Sequence, residues 1–280
     1  MASQTASELS KPLSPRGPRV TDEAHAYLER MFPQGNPVLD ELAATDPEFI
    51  ERFQNFAFGE VVREGVPAGE EPLDDHTRFL AILATLLGCQ GIAEFRAILP
   101  AALEMGVTPV EAKEVVYQAV AYLGIGRVAP FLAATNDVLR ARGVELPLPA
   151  QGTTDPASPE GRVSAGEAKQ VAIFGEGMRG FAEAGNPEYP QINRWLAANC
   201  FGDWYTRGGL SDAEREMVTL CYLAAQGGCE PQLTSHARGN LNVGNDKAFL
   251  LKVVSACVPF IGYPRTLNAI RCIEAAAAQA

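Results

Sequence analysis

Glu216, Cys229 and His236 are the residues of this 280-residue chain whose types and spacing could do chemistry. A carboxylate touching an imidazole fixes the ring's tautomer and stabilises it when it carries a proton. Such a pair is the minimum kit for proton transfer without a cofactor. Glu216 lies eleven residues before Gly227, and His236 lies eight after Gly228. If Gly227-Gly228 reverses the chain, two antiparallel helices result. At about 1.5 Å per residue, the two side chains then sit at depths differing by only about 4–5 Å. Cys229 precedes Glu230-Pro231, a helix-start signal, so its thiol lies where free N–H groups and the helix dipole favour thiolate. Residue 236 is two turns further on, so Cys229 and His236 share a face and could form a thiol–imidazole pair. Structural roles compete with each reading. Glu216 could be an ion-pair partner of Arg215 or Arg238, His236 a hydrogen-bonded core residue, and Cys229 a small cap. Arg265, near Tyr263 and Asn268, offers an anion a charge-assisted hydrogen bond. Trp204, beside Tyr205, could wall an apolar pocket. His25 and His76 lie near helix starts without a partner motif.

The elements that must position these groups occur twice. Gly124-Ile125-Gly126-Arg127 aligns with Gly262-Tyr263-Pro264-Arg265, and Ala101–Gly106 aligns with Gly239–Gly244 at the same offset. With one residue of slippage, Leu73–Arg78 falls on Leu210–Arg215, and Phe58-Gly59-Glu60 resembles Phe201-Gly202-Asp203. A repeat this long means two similar domains rather than a solenoid. Phe79 stands opposite Glu216 and Ile98 opposite His236, so the first copy holds hydrocarbon where the second holds acid and base.

Helical periodicity and capping signals run through both copies, and no alternating strand pattern appears, so the chain is all-α. Helix starts fall at Thr21-Asp22, at Thr45-Asp46-Pro47-Glu48, at Asp74 or Asp75 and at Thr108-Pro109-Val110-Glu111, with stops at Gly88, Gly106, Gly124 and Gly143. The second copy is expected to carry a helix capped by Ser164. Others are expected near 187–201, over 211–226, 230–243 and 246–260, and from about Pro264. The boundaries are a disordered lead-in over 1–20, a first domain over 21–145, a linker over 146–163 and a second domain over 164–280. With 47% hydrophobic residues, each half is expected to bury its own core. The formal charge of −11 argues against nucleic-acid binding. No secretory signal is read at the N-terminus, and no run of about 18 apolar residues predicts a membrane span. The six cysteines have no framework spacing and there is no CxxC, which suits reduced thiols in the cytoplasm and no metal site.

The blocks Gly209–Glu216, Gly227–His236, Asn240–Gly244 and Gly262–Ala269 resemble successive blocks of the carboxymuconolactone decarboxylase family, within the alkylhydroperoxidase-D-like superfamily. The first copy carries the resemblance more weakly. It implies two tandem alkylhydroperoxidase-D-like helical bundles and a homo-oligomer, a trimer or dimer of tandem chains. It implies cofactor-free decarboxylation of a small carboxylated lactone or enol, with His236 moving the proton, Glu216 orienting it and Arg265 holding the carboxylate. Peroxidases of the same superfamily use a CxxC with a nearby His and Glu. Here Glu216, Cys229 and His236 match that pattern with one extra residue after Glu216, while the second cysteine position is Gln232. A thiol-dependent peroxidase using Cys229 is therefore one alternative, and a non-catalytic ligand-binding or assembly protein is another.

Overall fold

The computed structural model describes residues 17–279. Most of the expected lead-in lies outside the described residues. Its last part is held: Arg19 N donates to Glu51 Oε2 at 2.7 Å, and Asn55 Nδ2 donates to the Arg19 carbonyl at 2.9 Å.

Helices and loops make up the described residues, with no strand among them. The first copy runs α1 (Asp22–Met31), α2 (Pro37–Thr45), α3 (Pro47–Gln54), a π-helical turn (Asn55–Glu60), α4 (Val61–Glu64), α5 (Asp75–Gly88), α6 (Ile92–Glu104), α7 (Pro109–Leu123) and α8 (Ile125–Ala141). The second runs α9 (Pro159–Phe174), a short 3-10 turn (Glu176–Met178), α10 (Gln191–Trp195), a π-helical segment (Leu196–Tyr205), α11 (Asp212–Gln226), α12 (Glu230–Asn242) and α13 (Lys247–Ala277). The capping logic holds at Thr21, at Asp74 and at the reciprocal box of Thr108 with Glu111. Helix α2 is not among the expected helix starts. Asn36 caps it, and Pro37 sits in its first turn, where proline's missing N–H costs nothing. Ser164 is not the cap of α9. Ser158 is, with Pro159 following it, so the helix begins earlier and the linker is correspondingly shorter.

The expectation of two separate cores is overturned. One hydrophobic cluster joins Phe79, Leu83 and Leu87 of α5 to Val218, Leu220 and Tyr222 of α11 and Val253 and Cys257 of α13. Neither copy alone buries the facing sides of α5 and α11, so the repeat closes on itself. A polar seam crosses this junction, where Gln118 of α7 donates to the Arg215 carbonyl at 2.9 Å and to Thr219 Oγ1 at 2.8 Å. Helix α13 has the length and composition to cross a membrane, a property that a search for uninterrupted apolar runs passes over. It is two helices merged across a break at Gly262 (φ 72°, ψ 169°), and Leu250, Val253, Val254 and Ile273 on it are buried. The break separates the two segments expected there.

Each copy packs a helix across a π-helical segment. In the second, α9 approaches so closely that a Cβ on Gly166 would lie 1.8 Å from the Ala197 carbonyl oxygen, and one on Gly202 would lie 2.3 Å from that of Arg162. Only glycine fits at either position, and the contact fixes α9 over the second-copy hairpin. π-Helical turns recur at functional sites because they re-aim side chains.

Candidate functional site

Helices α11 and α12 form the hairpin that sequence spacing predicts. Ser211 and Glu214 make a reciprocal capping box at the start of α11. Gly227, with φ of 69°, ends it in a conformation that L side chains rarely adopt. Cys229 is the N-cap of α12, and Pro231 sits in its first turn.

Across this hairpin His236 Nδ1 lies 2.9 Å from Glu216 Oε2. The Glu216 side chain is fully buried, and His236 is 11% exposed. With Glu216 ionised, Nδ1–H donates and Nε2 is left to face a ligand. Gly239 makes room for the carboxylate, since a Cβ there would lie 2.4 Å from Glu216 Oε2 and 2.8 Å from Phe174. Asn240 ties the two helices by donating to the carbonyls of Glu216 at 2.9 Å and His236 at 2.8 Å. Glu216 Oε1 has no hydrogen-bond partner in the protein. Arg215 and Arg238 are not its ion-pair partners, because Arg215 binds Glu114 and Arg238 donates to the Ala276 carbonyl. A Gly239→Ala substitution is expected to displace the carboxylate. Melting temperature and His236-dependent activity should fall together, and unchanged values for both would show that the pair tolerates a shift.

The imidazole opens onto a cavity of about 550 Å³ lined by Tyr122, Phe174, Met178, Phe181, Phe201 and Leu223 among others. That volume lies in the range of small-molecule sites. Tyr122 and Phe174 present T-shaped contacts to the His236 ring at 5.4 Å and 5.5 Å. Tyr122 comes from α7, so the first copy, which lacks an acid–imidazole pair of its own, builds a wall of the second copy's cavity. Its hydroxyl joins a buried chain to Tyr205 at 2.8 Å and on to Thr219 at 2.7 Å. Burial drives both phenols well above the ordinary tyrosine range. Sequence reading missed Tyr122 because an apolar helix in the hydrocarbon-rich copy gives no sign of which cavity it will face.

The corresponding place in the first copy is filled. Phe79 and Ile98 are buried with Tyr27 and Phe58, and Phe53 packs edge-on to both Phe58 and Phe260 at 6.0 Å and 6.4 Å.

Cys229 lines the cavity beside His236, but the two do not pair. Its sulfur donates to the Leu223 carbonyl at 3.4 Å and receives Gln226 Nε2 at 3.7 Å. The expected thiolate is also overturned: burial pushes the thiol upward, and the Gln226 hydrogen bond offsets this only in part. Cys200, on the same cavity, is pushed up to about 12 by burial. Iodoacetamide labelling of Cys229, followed by peptide mass spectrometry, is therefore expected to be slow at neutral pH and to accelerate only above the ordinary thiol range. Rapid labelling at neutral pH would contradict this reading.

The other expected binding residues lie elsewhere. Arg265 and Asn268 border a separate cleft of about 10 Å³ behind Gly227, and Tyr263 is 63% exposed. Gly262 turns the chain so that Arg265 points at the end of the hairpin rather than into the cavity. Trp204 packs against Tyr117 at 6.4 Å, with the Arg207 guanidinium 5.9 Å from its ring. One helical face of the π-segment supplies Phe201 to the cavity, and Trp204 falls on another. His76 is not without a partner, since its Nε2 lies 3.1 Å from Glu111 Oε1. Glu214 completes a group whose candidate ligand atoms all lie within 4.8 Å. That convergence of three helix starts was invisible to local spacing, and both carboxylates already serve as capping-box acceptors.

The model of the carboxymuconolactone decarboxylase family matches residues 47–137 and again 190–275. The chain belongs to the carboxymuconolactone decarboxylase family. The two matches are the two copies, so this family member is a tandem one. Glu216, Cys229 and His236 fall in the second match and Tyr122 in the first. Gln170, Phe174, Met178 and Phe181, which also line the cavity, fall between them. No curated protein matches the chain.

Proposed function

We propose that this carboxymuconolactone decarboxylase family member is a cofactor-independent lyase, or related isomerase, acting on a cyclic carboxylated lactone or enol. The observation that carries the reading is the 2.9 Å contact between buried Glu216 and His236 at the wall of a largely apolar cavity. No Lys or Arg is among the residues lining that cavity, so His236 is the one basic side chain an acidic group of the substrate meets there. The remaining wall is mostly hydrocarbon and aromatic ring with neutral amide, hydroxyl and thiol groups, which leaves a carboxylate less solvated than in water and favours its loss as neutral CO2. In the forward step the bond from ring carbon to carboxylate carbon breaks. Its electron pair passes into the conjugated carbonyl, CO2 departs, and His236 Nε2–H gives its proton to carbon. Glu216 holds the ring by Nδ1 throughout and stabilises the imidazolium between turnovers. Water then returns the proton to Nε2.

A panel of carboxylated γ-lactones and enol acids, scored for CO2 release in D2O, tests the reading. Turnover should place one deuterium on carbon, fall in Glu216→Gln and survive in Cys229→Ser. Loss of activity in Cys229→Ser with full activity in Glu216→Gln would transfer the chemistry to the thiol. The peroxidase reading keeps only the placement of Cys229 on the cavity. A raised thiol and Gln232 at the resolving position both weigh against it.

A further inference from the structure

Gln170 is fully buried, and it lines the cavity that His236 opens onto. Neither its amide nitrogen nor its amide oxygen has a hydrogen-bond partner in the protein. A buried primary amide left wholly unmatched destabilises a fold, and native structures retain few such groups. The residue is also not loosely placed. Helix α9 is clamped to the π-helical segment at Gly166 and Gly202. Lys169, its neighbour, pairs with Asp212 at 2.8 Å, and Asn242 Nδ2 donates to the Ile173 carbonyl at 2.9 Å. Phe174, one turn on, packs edge-to-face against Phe201 at 5.9 Å. A rigid helix therefore holds, in the wall of a cavity otherwise lined mainly by aromatic and aliphatic groups, a residue whose enclosed amide has an unspent donor and an unspent acceptor.

Such a pair matches one kind of ligand group. A primary amide offers N–H and C=O side by side, so it binds a partner that presents an acceptor and a donor on adjacent atoms. A ring carbonyl next to a hydroxyl, or an enolised carbonyl, has that pattern. A plain hydrocarbon, an ether or an isolated carboxylate does not. Gln170 is neutral and no guanidinium or ammonium group joins it on the cavity wall, so the recognised group is uncharged.

We propose that Gln170 is the specificity-determining residue of this site and reads a neutral carbonyl–hydroxyl or enol group on a cyclic substrate whose reacting carbon faces His236. This deepens the proton-transfer reading and rests on it for the identity of the reacting end. It narrows the substrate class from carboxylated lactones in general to those carrying a second, uncharged donor–acceptor group. It also assigns selectivity to the segment of α9 through Phe181, which lies between the two family-matched regions. The catalytic pair belongs to the matched hairpin, and the group that chooses the substrate belongs to the segment before the second match that packs over it.

Binding of carbostyril, a bicyclic lactam with adjacent C=O and N–H, tests the proposal without any turnover. Calorimetry on the full chain is expected to show carbostyril binding weakened about tenfold by Gln170→Leu, the scale of a lost buried hydrogen-bonding pair. N-methylcarbostyril, which lacks the donor, should bind the wild type more weakly and be indifferent to the substitution. Gln170→Leu should melt at or above the wild-type temperature, because it removes an unmatched amide rather than a structural contact. A fall of several degrees would make Gln170 a packing residue and overturn the proposal. So would unchanged or tighter carbostyril binding in Gln170→Leu, or equal loss with the N-methyl compound. Gln170→Glu, similar in shape, guards against a packing artefact and should also lose carbostyril affinity. His236→Gln separates the two claims. It lowers proton transfer by about a hundredfold or more if the catalytic reading is right, yet the dependence of carbostyril binding on Gln170 should persist in that background.

Discussion

His236→Gln is expected to lower turnover on a carboxylated lactone substrate by roughly a hundred- to ten-thousand-fold, the usual contribution of a positioned acid–base group. Glutamine keeps the approximate size of the ring and can still meet Glu216 Oε2, so the fold should survive with a melting temperature within a few degrees of wild type. It cannot accept and release a proton near neutral pH. The loss should appear in kcat more than in KM, because the proton is delivered in the transition state and not on binding. Glu216→Gln separates orientation from charge. It retains a hydrogen bond to Nδ1 but removes the negative charge, and a smaller loss than in His236→Gln is expected. Turnover by His236→Gln at the wild-type rate would sink the acid–base mechanism, whatever the substrate.

The hairpin was legible in the sequence because its determinants are local. Gly227-Gly228 suggests a turn, Ser211 with Glu214 starts one helix, Pro231 starts the next, and helical rise then puts residues 216 and 236 at similar depth, where they could face each other. The family likewise follows from ordered local blocks around Gly209–His236 and Gly262–Ala269. What escaped the reading depends on long-range packing. Cys229 sits at a helix start as expected, but the strength of a dipole cannot be weighed against burial until the neighbours are known, and burial wins. Arg265 follows the same Gly-x turn as Arg127, and nothing local says on which side of the hairpin it emerges. Tyr122 and Gln170 reach the cavity only because α7 and α9 fold over it. Neither carries a motif, and a buried glutamine in an amphipathic helix looks like a surface residue until its exposure is measured. The repeat suggested independent halves, yet the apolar sides of α5 and α11 satisfy each other, a pairing that composition alone cannot distinguish from two separate cores.

That fusion makes Glu114→Ala the substitution with the largest expected cost to stability. Glu114 of the first copy is 1% exposed and accepts from Arg215 Nη2 at 3.1 Å and from Arg207 Nη2 at 2.8 Å. Arg215, in the second copy, is fully buried and also donates to Gln118 Oε1 and to the carbonyls of Arg207 and Gly208, each at 2.8 Å. Removing the carboxylate leaves a buried guanidinium without its counter-charge, which costs about 3–5 kcal/mol where it has been measured in other proteins. For a chain of this size the melting temperature should fall on the order of 10 °C. Arg207, 18% exposed at its side chain, can turn towards solvent; Arg215 cannot, so the cost lies with Arg215. The paired change Glu114→Leu with Arg215→Met removes both charges and should recover part of the loss, because two apolar side chains need no counter-ion, while Gln118 Oε1 and the carbonyls of Arg207 and Gly208 lose the Arg215 donor. Recovery would show that the penalty is an unpaired charge and not lost packing. Glu114 also lies two turns before Tyr122 on α7, so releasing its anchor should loosen the wall that first-copy residues give the cavity. Carbostyril affinity should then fall in Glu114→Ala and return in the double variant. A stable Glu114→Ala protein with unaltered affinity would mean that the Glu114 ion pairs contribute little to joining the two copies.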